Sequence, residues 1–209
     1  MRLFLDTINV EKLRYWHNLG LIDGVTTNPT SLSKSTHKLE IIKEIVSLMQ
    51  DKDVSVQLTS TSLAEQLNEA DKYCSLGKNV VIKVPGLPSN LELAKKLVAK
   101  NIKVNVTLVF TPMQATLFAK LGVDYVSFFL GRLIDQDVDA IKLLEETVDL
   151  VNKVGNKTKM LAASIRNADQ LVQAYLAGAD VVTVSPEVLE LSINHNLIDA
   201  GYQKFLQDA

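Results

Sequence analysis

Eight short apolar runs recur along the chain, and a stretch with helical periodicity lies between each and the next. The runs are Leu3–Asp6, Gly24–Asn28, Val54–Thr59, Val80–Pro85, Val104–Phe110, Tyr125–Leu130, Met160–Ser164 and Val181–Ser185. They are rich in β-branched residues and too short for helices, the pattern of strands buried on both faces. In the stretches between them apolar residues return at the 3.6-residue period. Leu39, Ile42, Val46 and Met49 share one face, as do Ile141, Leu144, Val148 and Val151. Helix starts are marked by Asn9, by Ser62 with Glu65 at the capping-box position, and by Asn167. Gly20, Gly77, Gly122, Gly155 and Gly178 suit left-handed helix ends. Strand and helix alternating eight times, the last helix near Glu187–Ile193, predict an α/β fold, a (β/α)8 TIM barrel. A doubly wound open sheet has the same alternation, and periodicity does not decide whether the sheet closes. No linker or shift of composition divides the chain, so residues 1–209 read as a single domain. A ninth helical stretch, Leu197–Leu206, follows the eighth unit and has no place left in its own ring.

Lys83 stands out against this pattern. It sits in the middle of Val80-Val81-Ile82-Lys83-Val84-Pro85. Burying an ammonium group is costly unless it is paired, so a buried lysine tends to lose its proton. A neutral amine in a dry pocket is a nucleophile for carbonyl carbon. The ordinary alternative is a salt-bridged lysine that reaches solvent from the strand end. The other polar residues decide between the two. In a barrel, chemistry collects at the C-terminal ends of the strands. There stand Asp6, Thr27 and Asn28, Gln57 and Thr59, Asn105 and Thr107, Arg132, and Ser164 with Arg166. Singly, each could be a cap, a turn former or a strand threonine. Together they form a polar floor around one amine. Two arginine forks and a hydroxyl at a helix start, Arg132, Ser164 and Arg166, suit a phosphate monoester.

Composition removes several classes of function. Hydrophobic residues make up 47% and the net charge is −2, so neither a disordered tail nor a polybasic nucleic-acid surface is indicated. A single cysteine, Cys74, allows no internal disulfide, and without cysteine pairs no zinc or other metal site is expected. The start, Met1-Arg2-Leu3-Phe4-Leu5-Asp6, leaves no room for a signal segment, and no apolar run approaches membrane-spanning length. A soluble, cytoplasmic protein without nucleic-acid or membrane partners is expected. No Walker or GxGxxG motif occurs. His17, His37 and His195 are scattered, with solvent-exposed or capping roles expected; Trp16 and Met113 read as core or interface, and Cys74 as inert packing.

The segments Leu5-Asp6-Thr7, Gly24-Val25-Thr26-Thr27-Asn28-Pro29, Val81-Ile82-Lys83-Val84-Pro85, Asn105-Val106-Thr107-Leu108-Val109-Phe110, Gly131-Arg132 and Ala162-Ala163-Ser164-Ile165-Arg166 resemble the transaldolases. More closely, they resemble the small subfamily that includes fructose-6-phosphate aldolase, in order over essentially the whole chain. The resemblance implies a Schiff base on Lys83, general acid/base work by Asp6, and a catalytic water near Thr107. It implies that Asn28 orients substrate hydroxyls, and that Arg132, Ser164 and Arg166 hold phosphate. Thr27, Asn105 and Phe129 are expected to line the substrate site, and no metal or organic cofactor is needed. The substrates would be sugar phosphates.

The sequence also departs from the transaldolase pattern. Gln57 stands where transaldolases carry glutamate, as in the aldolase, whereas Phe129 is the transaldolase choice where the aldolase has tyrosine. Thr111 replaces a common serine, and Gly86-Leu87-Pro88-Ser89-Asn90 lacks the Thr-x-Glu-Gly run of the subfamily. Phe129 and the fork of Arg166 tilt the expectation toward a transaldolase, with the aldolase as alternative. A non-catalytic sugar-phosphate-binding barrel is the rival from another class, but it leaves Lys83 unexplained. The amphipathic tail, with Leu197, Ile198, Tyr202, Phe205 and Leu206, reads as an interface. By resemblance, residues 197–206 pack on a neighbouring subunit in a decamer of two pentamer rings.

Overall fold

The computed structural model describes residues 2–33 and 35–209. Its strands are β1 (Arg2–Asp6), β2 (Gly24–Thr26), β3 (Asp53–Gln57), β4 (Val80–Pro85), β5 (Val104–Val109), β6 (Tyr125–Phe129), β7 (Lys159–Ile165) and β8 (Val181–Val184). Each pairs in parallel with the next, and β8 returns to β1 with Arg2 opposite Val181 and Leu5 opposite Val184. The sheet therefore closes into a (β/α)8 barrel, and the open-sheet alternative falls. The helices are α1 (Val10–Asn18), α2 (Pro29–Leu32), α3 (Lys38–Leu48), α4 (Leu63–Cys74), α5 (Leu91–Ala99), α6 (Pro112–Lys120), α7 (Leu130–Ile134), α8 (Ala140–Val154), α9 (Ala168–Leu176), α10 (Pro186–Ser192) and α11 (Asn196–Asp208).

Alternation along each strand sorts side chains between two cores. The outward residues, Val25, Val54, Val56, Ile82, Val84, Val106 and Val182 among them, join the helices in one large cluster. A smaller cluster fills the barrel itself: Phe4, Val81, Tyr125, Leu161, Ala163 and Val181. Gly24 makes room for it, because a Cβ there would lie 2.5 Å from the Phe4 ring. Two residues further along the same inward rows the chemistry changes to Asp6, Lys83, Ser127 and Thr183. An apolar layer thus lies inside the barrel beneath a polar C-terminal rim.

Local details refine the sequence reading. Asn9 and Asn167 cap α1 and α9, accepting from the Lys12 and Gln170 amides. Ser62 caps α4 by accepting from the Glu65 amide, but the Glu65 carboxylate takes the Ser62 hydroxyl rather than its backbone N–H. The reciprocal capping box forms instead at Thr111 and Gln114, at the start of α6. On α3 the buried face is Ile42, Ile45 and Val46, followed by Met49, whereas Leu39 is exposed. On α8 Ile141 lies at the edge, and Thr147 is buried in the stripe with Leu144, Val148 and Val151. Gly155 ends α8 in the left-handed region (φ 76°), and Gly20, Gly122 and Gly178 also have positive φ. Gly77 does not. Its small size is steric, since a Cβ there would sit 2.6 Å from Val46 Cγ1 and Asn79 Oδ1. Trp16 is core, while Met113 is exposed.

Two short helices, α2 and α7, interrupt loops that the sequence pattern leaves without structure. Helix α7 begins directly after β6 and α2 two residues after β2, and both contribute to the lining of the cavity at the C-terminal end of the barrel. Helix α7 contains Gly131 and Arg132, so these residues are helical rather than a strand exit.

Candidate active site

Lys83 is 5% exposed, at the fourth position of a strand whose neighbours place Gln57 on one side and Asn105 on the other. Its ammonium donates to the carbonyl oxygen of Thr27 at 2.6 Å. No side-chain ion pair or hydrogen bond to it is formed among the described residues. Burial pushes the Lys83 amine below its ordinary value, opposed by the charge of Asp6. Asp6 moves the other way. Burial raises its carboxyl, while Lys83 and the Asn28 hydrogen bond pull it back down. Burial drives both groups toward their uncharged forms; their mutual attraction resists, helped at Asp6 by the Asn28 hydrogen bond.

Asn28 does two jobs at once. Its Oδ1 accepts from the Ser31 amide at 2.8 Å as the cap of α2, which fixes the orientation of the amide. Its Nδ2 therefore points at Asp6 and donates to Oδ1 at 2.9 Å. One side chain thus both caps α2 and contacts Asp6.

These groups open into a cavity of about 350 Å³ lined by Asp6, Asn28, Gln57, Lys83, Thr107 and Phe129, with Arg132 and Ser164 on its far side. Arg132 lies over the Phe129 ring, 5.4 Å from its centroid, and forms no ion pair among the described residues. Phe110 stacks obliquely on Phe129 from behind. Ser164 has φ of 61°, a left-handed value unusual outside glycine, at a register shift where β7 meets β8. Leu108 repeats this at the β5–β6 shift with φ of 58°. Such irregularities re-aim side chains near sites.

Three residues expected at the site are placed differently. Thr27 does not line the cavity; its hydroxyl donates to the Ser55 carbonyl and its own carbonyl receives Lys83. Asn105 is fully buried beneath the floor, donating to Ser55 Oγ at 3.1 Å and accepting from Ser127 Oγ at 2.7 Å. Arg166 is turned away and forms a two-pronged pair with Asp135, Nη2 to Oδ2 at 2.6 Å. Thr59, also noted at the rim, instead binds Glu69 through its amide and hydroxyl.

The pattern of the family described as Transaldolase/Fructose-6-phosphate aldolase matches residues 3–208. The chain belongs to that family. A "Probable transaldolase" of Thermoplasma volcanium is 44% identical over 212 residues, covering 100% of this chain and 95% of the relative. A "Probable transaldolase" of Geobacter sulfurreducens is 40% identical over 209 residues, covering 100% and 97%. One of Dictyoglomus turgidum is 41% identical with the same coverage. The chain is an enzyme of the transaldolase or aldolase type, so the purely binding alternative is set aside.

Within this transaldolase-family cavity several lining residues escape the sequence reading: Thr26, Leu108, Ser127, Ala163 and Thr183. Thr26 and Thr183 share a buried hydrogen bond of 2.7 Å between hydroxyls. Counting by twos from Tyr125 or Val181 along the inward row would have found Ser127 and Thr183. No such count finds Leu108, because the strand irregularity breaks the alternation. Cys74 and the three histidines lie outside the cavity lining. Among the described residues no helix is long and apolar enough to cross a membrane.

Proposed function

We propose that this enzyme is a class I, Schiff-base transaldolase that moves a dihydroxyacetone unit between sugar phosphates. The observation that carries the reading is the buried, side-chain-unpaired Lys83 amine that shares one cavity with Asp6. Lys83 attacks C2 of a ketose phosphate such as fructose 6-phosphate or sedoheptulose 7-phosphate. Loss of water gives an iminium, which acts as an electron sink. Asp6, oriented by Asn28, takes the proton of the C4 hydroxyl as the C3–C4 bond breaks. An aldose phosphate leaves, and the three-carbon enamine stays on Lys83. Addition to erythrose 4-phosphate or glyceraldehyde 3-phosphate reverses the steps, and water then releases the new ketose phosphate. Thr107 and Gln57 flank the water that hydrolyses the imine, while Asn28, Thr27, Asn105 and Phe129 shape the site directly or from beneath. Arg132, Ser164 and Arg166 receive the phosphate. The reading assigns the enzyme to the cytoplasmic pentose phosphate pathway, without metal or organic cofactor.

Gln57 favours a second reading, the aldolase that releases free dihydroxyacetone, because a neutral amide matches the aldolase rather than the transaldolase at this place. Phe129 opposes it, since it supplies no phenol to position hydrolytic water. A side-by-side assay separates them. Transfer from fructose 6-phosphate to erythrose 4-phosphate should exceed release of dihydroxyacetone, and the reverse ratio gives the aldolase reading.

Residues 1–209 are read as one barrel domain whose last helix serves assembly. Helix α11 buries none of its residues, and Leu197, Tyr202 and Phe205 are 59–71% exposed. An exposed apolar strip of this kind supports a homo-oligomer, proposed as a decamer of two pentamer rings. A monodisperse monomer in sedimentation would defeat that assignment.

A further inference from the structure

The two arginines of the phosphate side make different contacts around α7. Arg132, on the helix, reaches the cavity over Phe129. Arg166, from the end of β7, crosses the first turn of the helix and docks on Asp135 at its C-terminal end. Gly131 makes this crossing possible: a Cβ there would lie 2.8 Å from Arg166 Nε and 2.3 Å from the Ser164 carbonyl oxygen. Both terminal nitrogens of Arg166 are used on the Asp135 carboxylate, the same fork-to-fork geometry a phosphate would require. The two cannot be satisfied by one set of donors. The side chains of Arg166 and Asp135 are each 48% exposed, so the pair is in contact with solvent and weak enough to exchange.

We propose that Asp135 is a positioning residue that holds Arg166 away from the substrate-free cavity, acting as an internal anion that incoming phosphate must displace. This rests on the reading of Arg132, Ser164 and Arg166 as the phosphate site. Arg132 meets the anion first, and Arg166 then swings from carboxylate to phosphate. Asp135 thereby sets the threshold affinity for phosphorylated substrates, and release of product restores the pair.

The test measures inorganic phosphate binding by calorimetry, together with KM and kcat for fructose 6-phosphate. Asp135→Asn keeps the shape but removes the competing charge. It should tighten phosphate and lower KM by about two- to fivefold, with kcat moving much less. In an Arg166→Ala background the same change should give no gain, because the competition has lost its object. Asp137→Asn, two residues on, controls for a general loss of negative charge and should do little. Unchanged or weaker phosphate binding in Asp135→Asn overturns the proposal, as does an equal gain in the Arg166→Ala background or from Asp137→Asn. If Arg132→Ala and Arg166→Ala leave phosphate affinity intact, the phosphate-site reading itself has failed. If they weaken it but Asp135→Asn does not tighten it, only the exchange has failed.

Discussion

The two ends of the barrel both hold charged groups inside the strand ring, and they treat them in opposite ways. At the N-terminal end, Tyr125 Oη donates to Asp53 Oδ2 at 2.6 Å and accepts from Arg2 Nη1 at 3.1 Å. Lys103 completes the group by pairing with Asp53 Oδ1 at 2.7 Å. The Arg2 guanidinium also lies over the rings of Phe4 and Tyr125, at 5.9 and 5.4 Å. Every charge there has a partner, which is what a structural plug requires. At the C-terminal end Lys83 has a single backbone carbonyl, and Asp6 a single amide. Satisfied polar groups hold the fold, whereas under-satisfied ones are available to react.

The largest effect should come from removing the amine. Lys83→Met is expected to lower kcat/KM by at least about a thousandfold, because no iminium can form. The same change should leave the melting temperature equal or higher, since methionine fills similar space without a charge to bury. Turnover above a trace would end the Schiff-base assignment, and a marked loss of stability would make this end of the barrel a structural element as well.

A smaller effect concerns the electrostatics of the pair. Lys83 reacts when neutral, and burial places its pKa below the ordinary 10.5. Schiff-base formation, followed by borohydride trapping with fructose 6-phosphate, should therefore rise with pH and level off below that value. The Asp6 charge holds the Lys83 pKa up. In Asp6→Asn the rising limb should shift to lower pH, even though cleavage is lost. A shift to higher pH, or none, would show that Asp6 does not act on the amine.

The smallest effect is expected at the other end. Tyr125→Phe leaves Asp53 and Arg2 each short of one partner, a cost of about 1–3 kcal/mol. For a chain of this size each kcal/mol corresponds to about 2–4 °C in melting temperature. Transfer activity at 25 °C should change less than twofold. A larger loss of kcat would couple the ends and end the contrast between them.

Much of this architecture is legible in the residues alone. Short β-branched runs and the 3.6-residue stripes specify strands and helices because period and length are local properties. Lys83 announces itself because a lone ammonium in an apolar strand is expensive wherever the strand goes. Arg132, Ser164, Asn28 and Asp6 follow from their position at strand ends. What remained for the tertiary structure depends on approach between distant segments. Closure of the ring needs β8 to meet β1, and nothing local encodes that pairing. The carbonyl that holds Lys83 belongs to Thr27, in a different βα unit. Leu108 lies at the cavity wall because β5 loses register with β6 between Val106 and Val109. Arg166 faces Asp135 because α7, unmarked in the sequence pattern, brings a carboxylate within its reach. Residue type sets what each group can do, but its partner is chosen by packing between elements far apart in the chain.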